Sequence, residues 1–276
     1  MRRREFIAAL GSATAWPMLA RAQRPPRQVP LVGVLWHAGS AEEEAIYLGA
    51  LRKGLNDLGY IEGRNIILEN RFAAENPERF PVMAEELVAL KPDILLAVTP
   101  FAAFAAQQAS KTVPTVFVVF PDPVEAKLVT SMARPGGNIT GFTADAGDLA
   151  AKGIEILVDG VGKLSRMALL ISESPSQKAV IERCTEVASG LHISLDVFEL
   201  VTPADFEIAF SRLAEVNPGA LYIPPSGLTY AERARIARLA LSKRLPTMFG
   251  IREYVDVGGL FSYGPSYSGK FYQAAT

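Results

Sequence analysis

Between Leu31 and Tyr263, short β-branched runs alternate with longer stretches whose apolar residues recur near helical spacing, and few folds accommodate such a chain. Strands that run parallel need a crossover of a dozen or more residues, which a helix supplies; the intervening stretches are long enough. In the first half, strands are predicted at Leu31 to Trp36, Asn65 to Phe72, Asp93 to Val98 and Thr115 to Phe120. Helices are predicted at Glu42 to Leu58, Pro77 to Leu90 and Phe101 to Ser110, the first ending at Gly59 and the second opening on Pro77.

A turn-rich segment, Arg134-Pro135-Gly136-Gly137-Asn138, introduces Ile139 to Phe142 and a helix from Leu149 to Val158, after which the pattern restarts. Strands are predicted at Met167 to Ile171, Ser194 to Leu200, Ala220 to Ile223, Thr247 to Phe249 and Leu260 to Tyr263. Helices are expected at Gln177 to Leu191, Ala204 to Val216 and Tyr230 to Ser242. The expected fold is therefore α/β, two Rossmann-like lobes with parallel sheets joined by a hinge, divided as residues 23–145 and 146–276. A cleft lies between them.

Residues 1–22 carry the marks of an export leader: Arg2, Arg3 and Arg4, an apolar stretch from Phe6 to Leu19, and Ala20-Arg21-Ala22 as a small-x-small cleavage site. Arg3-Arg4-Glu5-Phe6-Ile7 has the twin-arginine form. The apolar stretch falls short of the roughly 20 residues of a membrane span and contains Pro17. A periplasmic protein beginning near Gln23 is expected. It has 24 basic and 28 acidic side chains, a net charge of −4, which argues against a nucleic-acid partner. Cys184 is the single cysteine, so no intramolecular disulfide forms, and its helical setting makes it a small core hydrophobe.

Open parallel sheets bind ligands beyond the carboxyl ends of their strands, where helix N-termini expose N–H groups. The residues at and just after the strand ends are Trp36, His37 and Ser40; Thr99, Pro100 and Phe101; Pro121 and Asp122; Ser172 and Ser174; and Ser226, Thr229 and Tyr230. Hydroxyls, aromatics and one carboxylate suit a small amphipathic ligand.

The leader, the stretch Gly54 to Ala73 and above all VPTVFVVFPDPVEAKLVTSMARPGGNITGFT resemble the ABC transporter substrate-binding proteins of the tryptophan/tyrosine-binding type. The resemblance covers nearly the whole chain, and the Asp122 to Gly141 block is specific. It implies a periplasmic-binding-protein type I-like fold, an amino acid or related small molecule as ligand, and delivery to an inner-membrane permease driven by a separate ATPase subunit. A monomer without cofactor is implied. Members of that family continue past Ser262 to Thr276 for some tens of residues, so the second lobe is expected to be incomplete at Thr276.

Each candidate has a plainer role to set against ligand binding. Thr99 either donates its hydroxyl to a ligand carboxylate or caps the next helix, and Asp122 either pairs with a ligand ammonium or organises a turn. Trp36 and Phe101 are core fillers or a stacking wall. Ser226 and Tyr230 are the counterparts from the second lobe, and Glu253 is the second carboxylate available to an amine. Glu42-Glu43-Glu44 reads as favourable negative charge in a first helical turn. Gly264 to Lys270 matches a phosphate loop except that Phe271 replaces the Ser or Thr, and neither His37 nor His192 has metal-ligand spacing around it. No metal is expected. The rival readings are an exported α/β enzyme, which would need a nucleophile or cofactor fingerprint, and a ligand-sensing module for a membrane receptor.

Overall fold

The computed structural model describes residues 29–143, 146–173 and 177–276. The leader and Ser174 lie outside the described residues. The first lobe runs β1 (Leu31–Trp36), α1 (Ala45–Asp57), β2 (Ile67–Phe72), α2 (Arg79–Ala89), β3 (Ile94–Val98), α3 (Pro100–Ala109), β4 (Thr115–Phe120) and β5 (Ile139–Thr143). The second runs α4 (Ala146–Val161), β6 (Arg166–Ser172), α5 (Gln177–Gly190), β7 (Ser194–Leu200), α6 (Asp205–Val216), β8 (Leu221–Ile223), α7 (Gly227–Ala231), α8 (Arg233–Ser242), β9 (Thr247–Phe249), a 3-10 turn (Arg252–Tyr254) and β10 (Phe261–Ser262). A final helix, α9, spans Tyr267–Ala274.

Each lobe holds a five-stranded parallel sheet, in the orders β2-β1-β3-β4-β5 and β10-β9-β8-β6-β7. Covered on both faces, the central strands read as apolar runs: Met167 to Leu170 are wholly buried, as are Val34 and Trp36. The strand order reverses between β1 and β3 and again between β6 and β8, and the crevice beyond such a switch point is where doubly wound sheets bind ligands.

Two departures from the predicted elements have local causes. The stretch Tyr230 to Ser242 is two helices, because Ser226 starts one early with a capping box, its hydroxyl accepting from Thr229 N–H while the Thr229 hydroxyl accepts from Ser226 N–H. The helix expected from Glu42 begins at Ala45, so Glu42 to Glu44 precede its first turn and Glu44 is fully buried.

The second sheet does not keep the end of the chain. Helix α9 packs along α1 of the first lobe, where Phe271, 0% exposed, stacks on Trp36 at 5.4 Å and Tyr47 at 5.1 Å. Tyr272 Oη donates to Asp57, and Lys270 Nζ to the Thr143 carbonyl. Gly54 permits this approach, since a Cβ there would stand 2.5 Å from the Tyr272 carbonyl oxygen. One core cluster consequently runs through both lobes, from Trp36 and Tyr47 to Tyr230, Tyr254 and Phe271. Truncating a fully buried phenylalanine such as Phe271 costs about 3–5 kcal/mol, so α9 is a fixed tie between lobes.

Candidate functional site

The strand ends of the two sheets face one another across a cleft that encloses about 760 Å³ of empty space, its open mouth included. From the first lobe it takes His37 after β1, Thr99 to Phe101 after β3, and Val119 and Pro121 at the end of β4. The second contributes Ser172 at the end of β6 and Glu173 just after it, Val201 after β7, and Pro225 to Leu228 after β8. An inner chamber of about 320 Å³ continues behind His37, Thr99 and Ser226, walled by Tyr47, Tyr230, Tyr267 and Phe271.

Thr99 sits at φ 83°, ψ 164°, a region nearly confined to glycine, and its hydroxyl does not cap α3. Among the described residues that oxygen is buried without a hydrogen-bond partner. An orphaned buried hydroxyl costs about 1–3 kcal/mol unless something bonds it. The first-turn N–H groups of Phe101 and Ala102 have no helical carbonyl to serve, and Pro100 supplies none. Val119, a β-branched residue at φ 61°, lies where the β4–β5 register shifts. Strain concentrated beside an open cleft marks a site built for something other than stability.

The opposite corner is ionic. His37 is 6% exposed and lies between two carboxylates, its Nδ1 2.6 Å from Glu75 Oε1 and its Nε2 3.0 Å from Glu44 Oε1. Burial alone would push the imidazole down, but Glu75 and Glu44 outweigh it and raise its pKa to about 9. The two carboxylates thus favour the protonated ring. Burial also pushes the Glu44 carboxyl up, opposed by His37. Glu75 reaches the ring because Ala74 and Glu75 both take left-handed backbone, at φ 54° and 56°, while their N–H groups bond the carbonyls of Ala38 and His37.

Of the residues expected at the site, Thr99, Phe101, Ser172 and Ser226 line the cleft, and Tyr230 lines the inner chamber. Trp36 is instead wholly buried, between Phe72 and Phe271, with its Nε1 donating to Asn70. Ser40 lies beyond the rim, near Glu43 N–H. Asp122 turns inward on its own loop, Oδ1 accepting from Val124 and Glu125 N–H. Glu253 borders the inner chamber without lining it. Sequence order missed Glu44, Glu75, Tyr47 and Tyr267; the signal for Glu75 was a carboxylate just past β2, and for Tyr47 an aromatic on the buried stripe of α1.

The other sequence features have structural roles. Ser266 of the Gly264 to Lys270 stretch caps α9, its Oγ accepting from Gly269 N–H. Burial raises the Cys184 thiol to about 12 and keeps it unreactive. Among the described residues no group of three or more His, Cys, Asp or Glu is arranged to hold a metal ion, and no helix is long and apolar enough to cross a membrane.

Comparison with known proteins gives the geometry a context. Residues 38–276 match the family described as ABC transporter substrate binding protein. The tyrosine-binding protein of Clostridioides difficile strain R20291 is 26% identical over 223 residues, 80% of this chain. The chain spans 64% of that relative's length. A conserved domain protein from Vibrio cholerae superposes with a TM-score of 0.82 at 24% identity, covering 90% of this chain and 82% of that one. The ABC domain from Streptococcus pneumonia in complex with L-Trp superposes at 0.79 with 20% identity, over the same 90% and 82%. These likenesses establish the fold, the two-lobed arrangement of type I periplasmic binding proteins.

Proposed function

Because the chain belongs to the ABC transporter substrate-binding protein family, we propose that it captures an amino acid, aromatic by preference, between its lobes and delivers it to an inner-membrane permease powered by a separate ATPase subunit. The family binds solutes and does not catalyse reactions. The observation that carries the reading is the Thr99 hydroxyl, buried without a partner among the described residues, at the N-terminus of α3 and on the cleft. A ligand carboxylate placed there accepts from Thr99 and from the free N–H groups of the first turn, with the positive helix end in its favour. The inner chamber, with its tyrosine and phenylalanine walls, takes the ligand's apolar or aromatic part. The clostridial relative is named for tyrosine and the pneumococcal neighbour holds L-Trp, which fits this division.

Capture works through the two lobes together: the first fixes the charged end, and contacts from Ser226 to Tyr230 form only on closure, so ligand shifts the population toward the closed form. With residues 1–22 acting as an export leader, the protein works in the periplasm as a monomer. Calorimetry of the purified protein against the twenty amino acids and a set of aromatic acids tests the assignment. Saturable binding of one or a few is expected; no heat from any of them refutes it.

A further inference from the structure

We infer that Glu75, locked in place by His37, is the acceptor for a cationic group of the ligand, so that the cleft selects a molecule carrying an amine over the same molecule without it. This deepens the reading above and rests on it.

Three observations converge on Glu75. The first is its support. Consecutive left-handed residues are costly for side chains with a Cβ, yet Ala74 and Glu75 adopt them, and the result aims the carboxylate at the buried ring of His37. Glu75 Oε1 is engaged there; Oε2 has no hydrogen-bond partner among the described residues. The second is charge. His37 supplies one positive charge between two carboxylates, Glu44 at 0% and Glu75 at 19% side-chain exposure. Only Glu75 can reach a ligand. Among the described residues, the rest of the cleft lining adds the exposed Glu173 and contains no lysine or arginine; Arg233, stacked on Tyr230 outside that lining, attracts Glu44 and leaves Glu75 to His37 and the cleft. Glu75 shares the single His37 ring with Glu44 and keeps one oxygen outside that pair, so a ligand cation can join it from the cleft in a charge-assisted hydrogen bond.

The third observation is the other end of the same cleft, where Thr99 is 7% exposed and its buried hydroxyl has no partner among the described residues. A donor without an acceptor at one corner and an acceptor excess at another describe a zwitterion. Gly227 of the second lobe lies directly over Glu75, where a Cβ would stand 2.6 Å from Oε2, so only a residue without a side chain fits beside the carboxylate. His37 then acts through Glu75 as a positioning residue.

The test pairs ligands that differ only by the amine: L-tyrosine with 3-(4-hydroxyphenyl)propanoate, L-tryptophan with indole-3-propanoate, and L-leucine with 4-methylpentanoate. Calorimetry on the wild-type protein should favour the amine-bearing member of at least one pair by roughly 10-fold or more. Glu75→Gln, with its fold checked by circular dichroism and thermal melting, should abolish that preference by weakening only the amine-bearing member. Equal affinity within every pair in the wild type overturns the inference while leaving the binding-protein reading intact. So does a Glu75→Gln variant that weakens both members alike, or a preference lost on Glu173→Gln but kept on Glu75→Gln. The panel extends to the other amino acids with their deaminated counterparts, and if none of them binds the wild type, both readings fall together. The wild-type pairs decide the amine preference even if the variant does not fold.

Discussion

Replacing Gly227 by alanine adds one methyl group where the lobes meet. An ideal Cβ at this position stands 2.6 Å from Glu75 Oε2, 2.8 Å from His37 Nδ1 and 2.9 Å from Glu75 Oε1, all well inside the optimum of about 3.5–4.0 Å for nonbonded contact. Glu75 cannot simply swing aside, because its other oxygen is held by His37, and His37 is held in turn by Glu44. Gly227 has no left-handed backbone, so alanine meets no local penalty and the cost falls on the cross-cleft contact. An added methyl in such a place costs about 1–3 kcal/mol. The structure without ligand already holds this contact; opening of the lobes relieves it and closure on a ligand cannot, so affinity falls by roughly 5- to 150-fold at 1.4 kcal/mol per decade. The melting temperature of the unliganded protein, which can open to relieve the contact, should fall by less than the affinity does. Calorimetry and thermal melting of wild type and Gly227→Ala, using whichever amino acid binds, read both quantities. An affinity within about twofold of wild type refutes the argument; equal losses in affinity and unliganded stability would move the effect from closure to folding.

Three further outcomes are expected at or beside the site. Thr99→Gly removes a non-glycine residue from a glycine-only region, so unliganded stability should rise by about 1–3 kcal/mol in urea unfolding while ligand affinity drops with the hydroxyl; a destabilised variant would contradict the strain argument. His37 has a folded-state pKa of about 9 against an ordinary 6.5, despite burial, because Glu75, Glu44 and Glu43 face it. A pKa raised in the fold stabilises fully below pH 6.5 and is lost as pH climbs through 9, so wild type should lose about 3 kcal/mol relative to His37→Gln between pH 6 and pH 10. Parallel pH curves for the two proteins would exclude it. Asp122→Ala should cost about 1 kcal/mol of stability, the loss of a cap to Val124 and Glu125, with affinity within twofold of wild type; a tenfold loss of affinity would return Asp122 to the ligand.

Strands β1, β4, β7 and β9 begin and end where the sequence places them, because buried parallel strands are short β-branched runs bounded by polar turns. The division into two sheets was legible for the same reason, as was the rule that residues after the strand ends line the cleft. Thr99 illustrates the limit: its position at a helix start was readable, whereas whether its hydroxyl caps α3 turned on a φ of 83° that no pattern announces. Asp122 sits beside Pro121, which lines the cleft, yet its carboxylate turns back to its own backbone.

Local periodicity, turn residues and strand order belong to neighbouring residues, and the sequence alone determines them here: two α/β units and the ends of their strands. The pairing of His37 with Glu75 spans 38 positions, and that of Phe271 with Trp36 far more. Only the packed structure decides such contacts, since whether two side chains meet depends on crossover geometry and backbone strain between them. For that reason the ionic corner of the cleft, the tyrosine-walled chamber and the return of α9 to the first lobe emerged from the tertiary fold.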